Sequence, residues 1–103
     1  MISVNGREAA LSALRGATGE VALVSAPGTA ALAGVGYWLA VVEALRAEIP
    51  GKKFTLFLEC GGNAALAHEA LRLGLSVVVD VSPAMFAKLA AIAETQGKSC
   101  VKR

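Results

Sequence analysis

Aromatic side chains are scarce: three Phe, one Tyr and one Trp account for 5% of 103 residues. A core must therefore be assembled from small apolar groups, and the 21 alanines along the chain are the main supply. Charge is equally thin, at 17% of residues with a formal net value of +2. Binding to nucleic acid requires a clustered basic face, and so slight an excess does not provide one. Cys60 and Cys100 are the only cysteines and His68 the only histidine. With no CxxC spacing, that set excludes a zinc site or a disulfide framework and leaves free thiols as the expectation. Gly51-Lys52-Lys53 lacks the upstream glycine and the following Ser or Thr of a phosphate-cradling P-loop, so phosphoryl transfer from a nucleotide is not expected.

What the chain has in quantity is apolar surface. Hydrophobic residues make up 55% and the mean hydropathy is +0.60, which excludes a disordered polymer. Length predicts one domain spanning residues 1–103. The opening residues include Arg7, Glu8 and Arg15 and hold no continuous apolar run of the kind a secretory signal needs. A cytoplasmic location is the expectation. Val21–Val42 carries no formal charge over 22 residues, long enough to span a bilayer of about 30 Å. Ser25-Ala-Pro-Gly-Thr29 breaks that window into a strand-like and a helical piece, which argues against a membrane span.

The order of elements reads as alternating helices and strands. Apolar positions at helical spacing predict a short helix over Gly6–Arg15 with Asn5 as its cap, and Glu20–Ser25 reads as a strand buried on both faces. Thr29 is placed to cap a long helix to about Glu48, stopped by Pro50-Gly51. Lys53–Cys60 is a second strand, and Asn63 caps a helix over Ala64–Leu73. Ser76–Val81 is a third strand, and Ser82-Pro83 opens a helix reaching Thr95. Lys98–Lys102 offers a short fourth strand at an edge. Strands separated by helices of this length imply right-handed parallel crossovers. The expected fold is therefore α/β: a three-layer parallel sheet of three to four strands, Rossmann-like or flavodoxin-like, with helices on both faces.

The front half of the Thr29–Glu48 helix is apolar all round. A helix of that kind needs to be buried all round, and a domain of this size has little interior to surround it. Self-association, a homodimer first, is the expectation, with Gly34, Tyr37, Trp38 and Val41 at the contact. The alternative is tight packing on the chain's own sheet.

Any chemistry should sit beyond the carboxyl ends of the strands. Three loops lie there: Ser25–Thr29, Glu59–Asn63 and Asp80–Pro83. Gly28, Thr29, Gly61, Gly62, Asn63 and Ser82 are candidates to hold a small anion, because turn glycines and helix N-termini present free N–H groups. Phe54–Val81, with Asp80 nineteen residues beyond Gly61, resembles a Rossmann-like unit in its general topology. Asn63 and Leu66 stand where a GxGxxG would need glycine, and no motif identifies a cofactor. The competing function is a cysteine-dependent enzyme. There Cys60 would be activated by the following helix N-terminus, with Glu59 and Asp80 as an acid/base pair if their strands are neighbours. An inert buried thiol, and carboxylates that merely cap loops, are the plainer readings of the same residues.

Overall fold

The computed structural model describes every residue, Met1–Arg103. The elements are β1 (Ile2–Val4), α1 (Arg7–Gly16), β2 (Val21–Ser25), α2 (Thr29–Ala33), α3 (Val35–Glu48), β3 (Phe54–Gly61), α4 (Ala64–Arg72), β4 (Ser76–Val79), α5 (Pro83–Thr95) and β5 (Cys100–Lys102). All five strands are parallel and lie in one sheet in chain order, β1-β2-β3-β4-β5. The α/β class follows from the alternation of elements. The sheet has one strand more than expected, because Ile2–Val4 pairs with Leu23–Ser25. Three residues, of which only Val4 is buried, carry too short a pattern to be read as a strand.

Strand order that never reverses has a consequence for the layers. Successive right-handed crossovers then place every connecting helix on the same side of the sheet. The contacts agree: α1 packs on α3, α3 on α4, and α4 on α5, forming one row. Buried helix residues such as Leu14, Trp38, Leu45, Leu71 and Leu89 join a single cluster with Val4, Leu23, Leu56, Leu58, Val77 and Val79. Those strand residues share one face by register and alternation. The opposite face is formed by Ser3, Ala22, Val24, Thr55, Phe57, Glu59, Ser76, Val78 and Val101, and none of them belongs to that cluster. Helix cover on both faces is thus corrected to two layers, and the Rossmann-like or flavodoxin-like order to a single winding. The shortest dimension, 20 Å against 38 and 26 Å, suits one sheet and one helix layer packed roughly 10 Å apart.

The long helix is also corrected. Gly34, at φ +85° and ψ 161°, interrupts it and separates α2 from α3, an essentially glycine-only backbone conformation that costs an L side chain about 1–3 kcal/mol. Gly28 rather than Thr29 stands at the start of α2, and the Thr29 hydroxyl donates to the Ala26 carbonyl at 2.6 Å. Trp38 and Val41 lie inside the chain's own core, so neither is free to meet a second subunit. The outward side of α2 and α3 carries Leu32, Ala33, Gly36, Tyr37 and Ala40. Leu32 is 87% exposed and Tyr37 42%. The helix has a wet side after all, built from residues too small to force burial. Tyr37 also reaches back to α1: a Cβ on Gly6 would lie 2.9 Å from its phenol oxygen.

No helix is long and apolar enough to cross a membrane. The accessible surface of 5514 Å² is close to the roughly 5,400 Å² usual for a monomer of this mass. Its amount is ordinary, so its distribution is what distinguishes it.

Candidate functional site

Two of the three loops, those at Ser25–Thr29 and Glu59–Asn63, meet at the carboxyl end of the sheet, and the loop at Asp80–Pro83 stays outside the hollow they form. Glu59, Cys60, Gly61 and Asn63 line a hollow of about 210 Å³ together with Gly28, Ala31, Leu66 and Arg103. Thr29, Gly62, Asp80 and Ser82 are not in its lining. Because the strand order has no reversal, the crevice that opens at a topological switch point in doubly wound sheets is missing. The hollow is instead shaped by a break in strand register between Glu59 and Gly61, which adds one residue to β3.

Glu59 is the best-held side chain here. It is 9% exposed, on the helix-free face beside Val78. Its Oε1 accepts from the Gly61 N–H at 2.8 Å and from the Arg103 guanidinium at 2.6 Å, and its Oε2 receives a second guanidinium contact at 3.4 Å. Arg103 extends the pairing of β5, its N–H donating to the Val79 carbonyl. From there its side chain crosses β4 to reach β3. The Glu59 carboxylate, and secondarily the Asp80 charge, hold the guanidinium firmly protonated. The strands that end in Glu59 and Asp80 are neighbours, as a carboxylate pair requires. Arg103 bonds Glu59 and offsets its charge, while Asp80 acts on the guanidinium only through its field. Arg103 was not anticipated, since a C-terminal arginine becomes informative only once β5 is known to lie two strands from Glu59.

Cys60 is buried on the helix side, and its thiol donates to the Leu58 carbonyl at 3.5 Å. Burial, then the negative charge of Glu59, then that of Cys100, pushes its pKa from 9.0 up to about 12. The thiol is therefore protonated at neutral pH, which is opposite to the activation that nucleophilic chemistry needs. Cys100 is also a free thiol, raised by burial alone.

Asn63 and Ser82 are occupied as helix caps: Asn63 Oδ1 accepts from the Leu66 N–H at 3.0 Å and Ser82 Oγ from the Met85 N–H at 3.2 Å. Gly62 backs onto the Asp80 carbonyl, and the Asp80 N–H donates to the Gly61 carbonyl at 2.8 Å. Buried Ser25, read from the sequence only as a strand end and loop start, accepts the Glu59 N–H at 2.8 Å and links β2 to β3. No three His, Cys, Asp or Glu side chains stand together as a metal site would require.

A second, shallower hollow of about 500 Å³ lies between α2 and the start of α1, lined by Asn5, Pro27, Gly28, Thr29, Leu32, Ala33, Tyr37 and Trp38. The Trp38 indole N–H beside it has no hydrogen-bond partner. The Tyr37 ring stands edge-on to the indole at 5.2 Å. No protein-family model, curated protein or solved structure matches this chain.

Proposed function

We propose that this chain is a non-catalytic α/β module that works by associating with itself. The observation that carries the reading is a five-stranded, wholly parallel sheet with helices on one face only. Purely parallel sheets occur almost only where both faces are covered. Weighing against an enzyme, Cys60 is buried and protonated, and Glu59 is bound to Arg103. Two free thiols suit a cytoplasmic setting. Light scattering on the purified chain tests the association: a mass near twice 10.5 kDa at high micromolar concentration is expected, and a monomer throughout that range refutes the reading.

A second reading keeps the carboxyl-end hollow as a site for a small anion. Its support is Arg103, whose side chain is 54% exposed and which lines the same hollow as Asn63 at the α4 N-terminus. An anion there must compete with Glu59 for the guanidinium. Phosphate or sulfate should therefore raise the melting temperature of the wild-type chain slightly and that of Glu59→Gln more. Equal or absent shifts in both proteins reject it.

A further inference from the structure

We infer that the hollow between α2 and the start of α1 is a binding site for a small uncharged molecule carrying a carbonyl acceptor, such as a neutral amide. Such a site requires no second copy of the chain.

An orphaned donor selects the chemistry. Trp38 is 0% exposed, and its indole N–H is the one buried side-chain polar group that meets no acceptor in the chain. Buried indoles ordinarily hydrogen-bond, and a desolvated donor without a partner carries a standing cost that an incoming acceptor removes.

The walls set the rest of the ligand. None of the eight residues lining the hollow is charged, which favours a neutral molecule over an ion. Leu32, at 87%, is the most exposed large apolar side chain in the chain, and Tyr37, at 42%, lines the same hollow. A ligand seated there shields both while its acceptor meets the indole. Asn5 adds a second polar group: α1 starts from Gly6 with no side-chain cap, so the Asn5 carboxamide is not engaged by the helix. The volume of about 500 Å³ falls within the roughly 300–1,000 Å³ usual for small-molecule sites. Its position, past the carboxyl ends of β1 and β2, is where parallel sheets take ligands. The acceptor reaches the indole by a small movement of α2. That helix has five residues and hangs between Gly28 and Gly34, both at positive φ, and hinge motion is absorbed at such element-terminal positions.

The test follows the indole resonance in the proton–nitrogen correlation spectrum of the full-length chain, where the single Trp gives a single signal. Acetanilide and ε-caprolactam serve as neutral amides, and toluene as an apolar molecule without an acceptor. At least one amide should move the resonance downfield to saturation, with a dissociation constant about tenfold or more below that of toluene. Leu32→Glu, at an exposed position where the fold is undisturbed, should weaken amide binding about tenfold, with circular dichroism confirming the fold. A resonance that neither amide moves up to about 20 mM overturns the assignment. Toluene binding as tightly as the amides also overturns it, because the indole then selects nothing. Amide binding unchanged in Leu32→Glu places the ligand elsewhere and overturns it too.

Discussion

Cys60 should be the slower of the chain's two thiols to alkylate, and the size of the effect follows from its surroundings. With its pKa moved from 9.0 to about 12, the thiolate fraction at neutral pH falls about a thousandfold against an unshifted thiol, and only the thiolate reacts. Higher basicity makes the remaining thiolate intrinsically more reactive, by about 16- to 32-fold for a Brønsted slope of 0.4 to 0.5. The net expectation is a rate roughly 30- to 60-fold below that of the urea-unfolded chain, before 6% exposure slows access further. Pulsed iodoacetamide labelling with peptide mass spectrometry reads Cys60 and Cys100 separately. The Cys60 rate should climb with pH through 10 without a plateau. Labelling of Cys60 in the folded protein at the unfolded rate or faster at pH 7 would refute the buried-thiol account and reopen the cysteine-enzyme reading.

Other outcomes follow from the same geometry. Because the unfolded Cys60 thiol ionises near 9.0 and the folded one near 12, the unfolded state binds fewer protons between those values. Stability should therefore fall as pH rises across that window, by up to about 1.4 kcal/mol per pH unit. Cys60→Ala should flatten this alkaline limb in urea titrations; an unchanged slope contradicts the shift. Arg103→Ala leaves the nearly buried Glu59 carboxylate without its counter-ion and should lower the melting temperature, while adding Glu59→Gln should restore part of the loss. Additive effects in that double-mutant cycle would show that the pair is not coupled. Leu58→Ala, at a fully buried position facing the helices, should cost about 2–5 kcal/mol in urea unfolding, whereas Leu32→Ala should stay within about 0.5 kcal/mol. Similar costs at the two positions would mean that the assignment of the core is wrong.

The elements were legible where a local signal marks them. Asn63 and Ser82 announce helix starts because their side chains satisfy N–H groups three residues on. Val77–Val79 and Leu56–Leu58 read as strands because β-branched and apolar runs bounded by glycine have few alternatives. Layering was not legible. Nothing in α3 or α4 records on which side of β2 or β3 the next strand is added, and that choice alone separates a three-layer sandwich from a sheet with one bare face. The Thr29–Glu48 helix was over-read for a related reason: Ala31, Ala33, Gly36 and Ala40 count as apolar, yet each exposes so little surface that water is tolerated. Gly34 was read as a packing residue, whereas its positive φ makes it the break between α2 and α3. At the strand ends, Glu59, Cys60 and Gly61 line one hollow. Their chemistry depended on Arg103, forty-four residues beyond Glu59, a separation at which pairing is set by strand order.

Solution X-ray scattering across a concentration series tests self-association most directly. The single chain has a Cα radius of gyration of 13.0 Å. Two copies stacked with their sheets about 10 Å apart have centres roughly 20 Å from one another, which raises the radius to about 16 Å as the forward scattering doubles. That compact rise is the predicted result. Forward scattering that stays constant at the monomer value, or a doubled signal with a radius near 20 Å as expected for copies joined edge to edge, contradicts it.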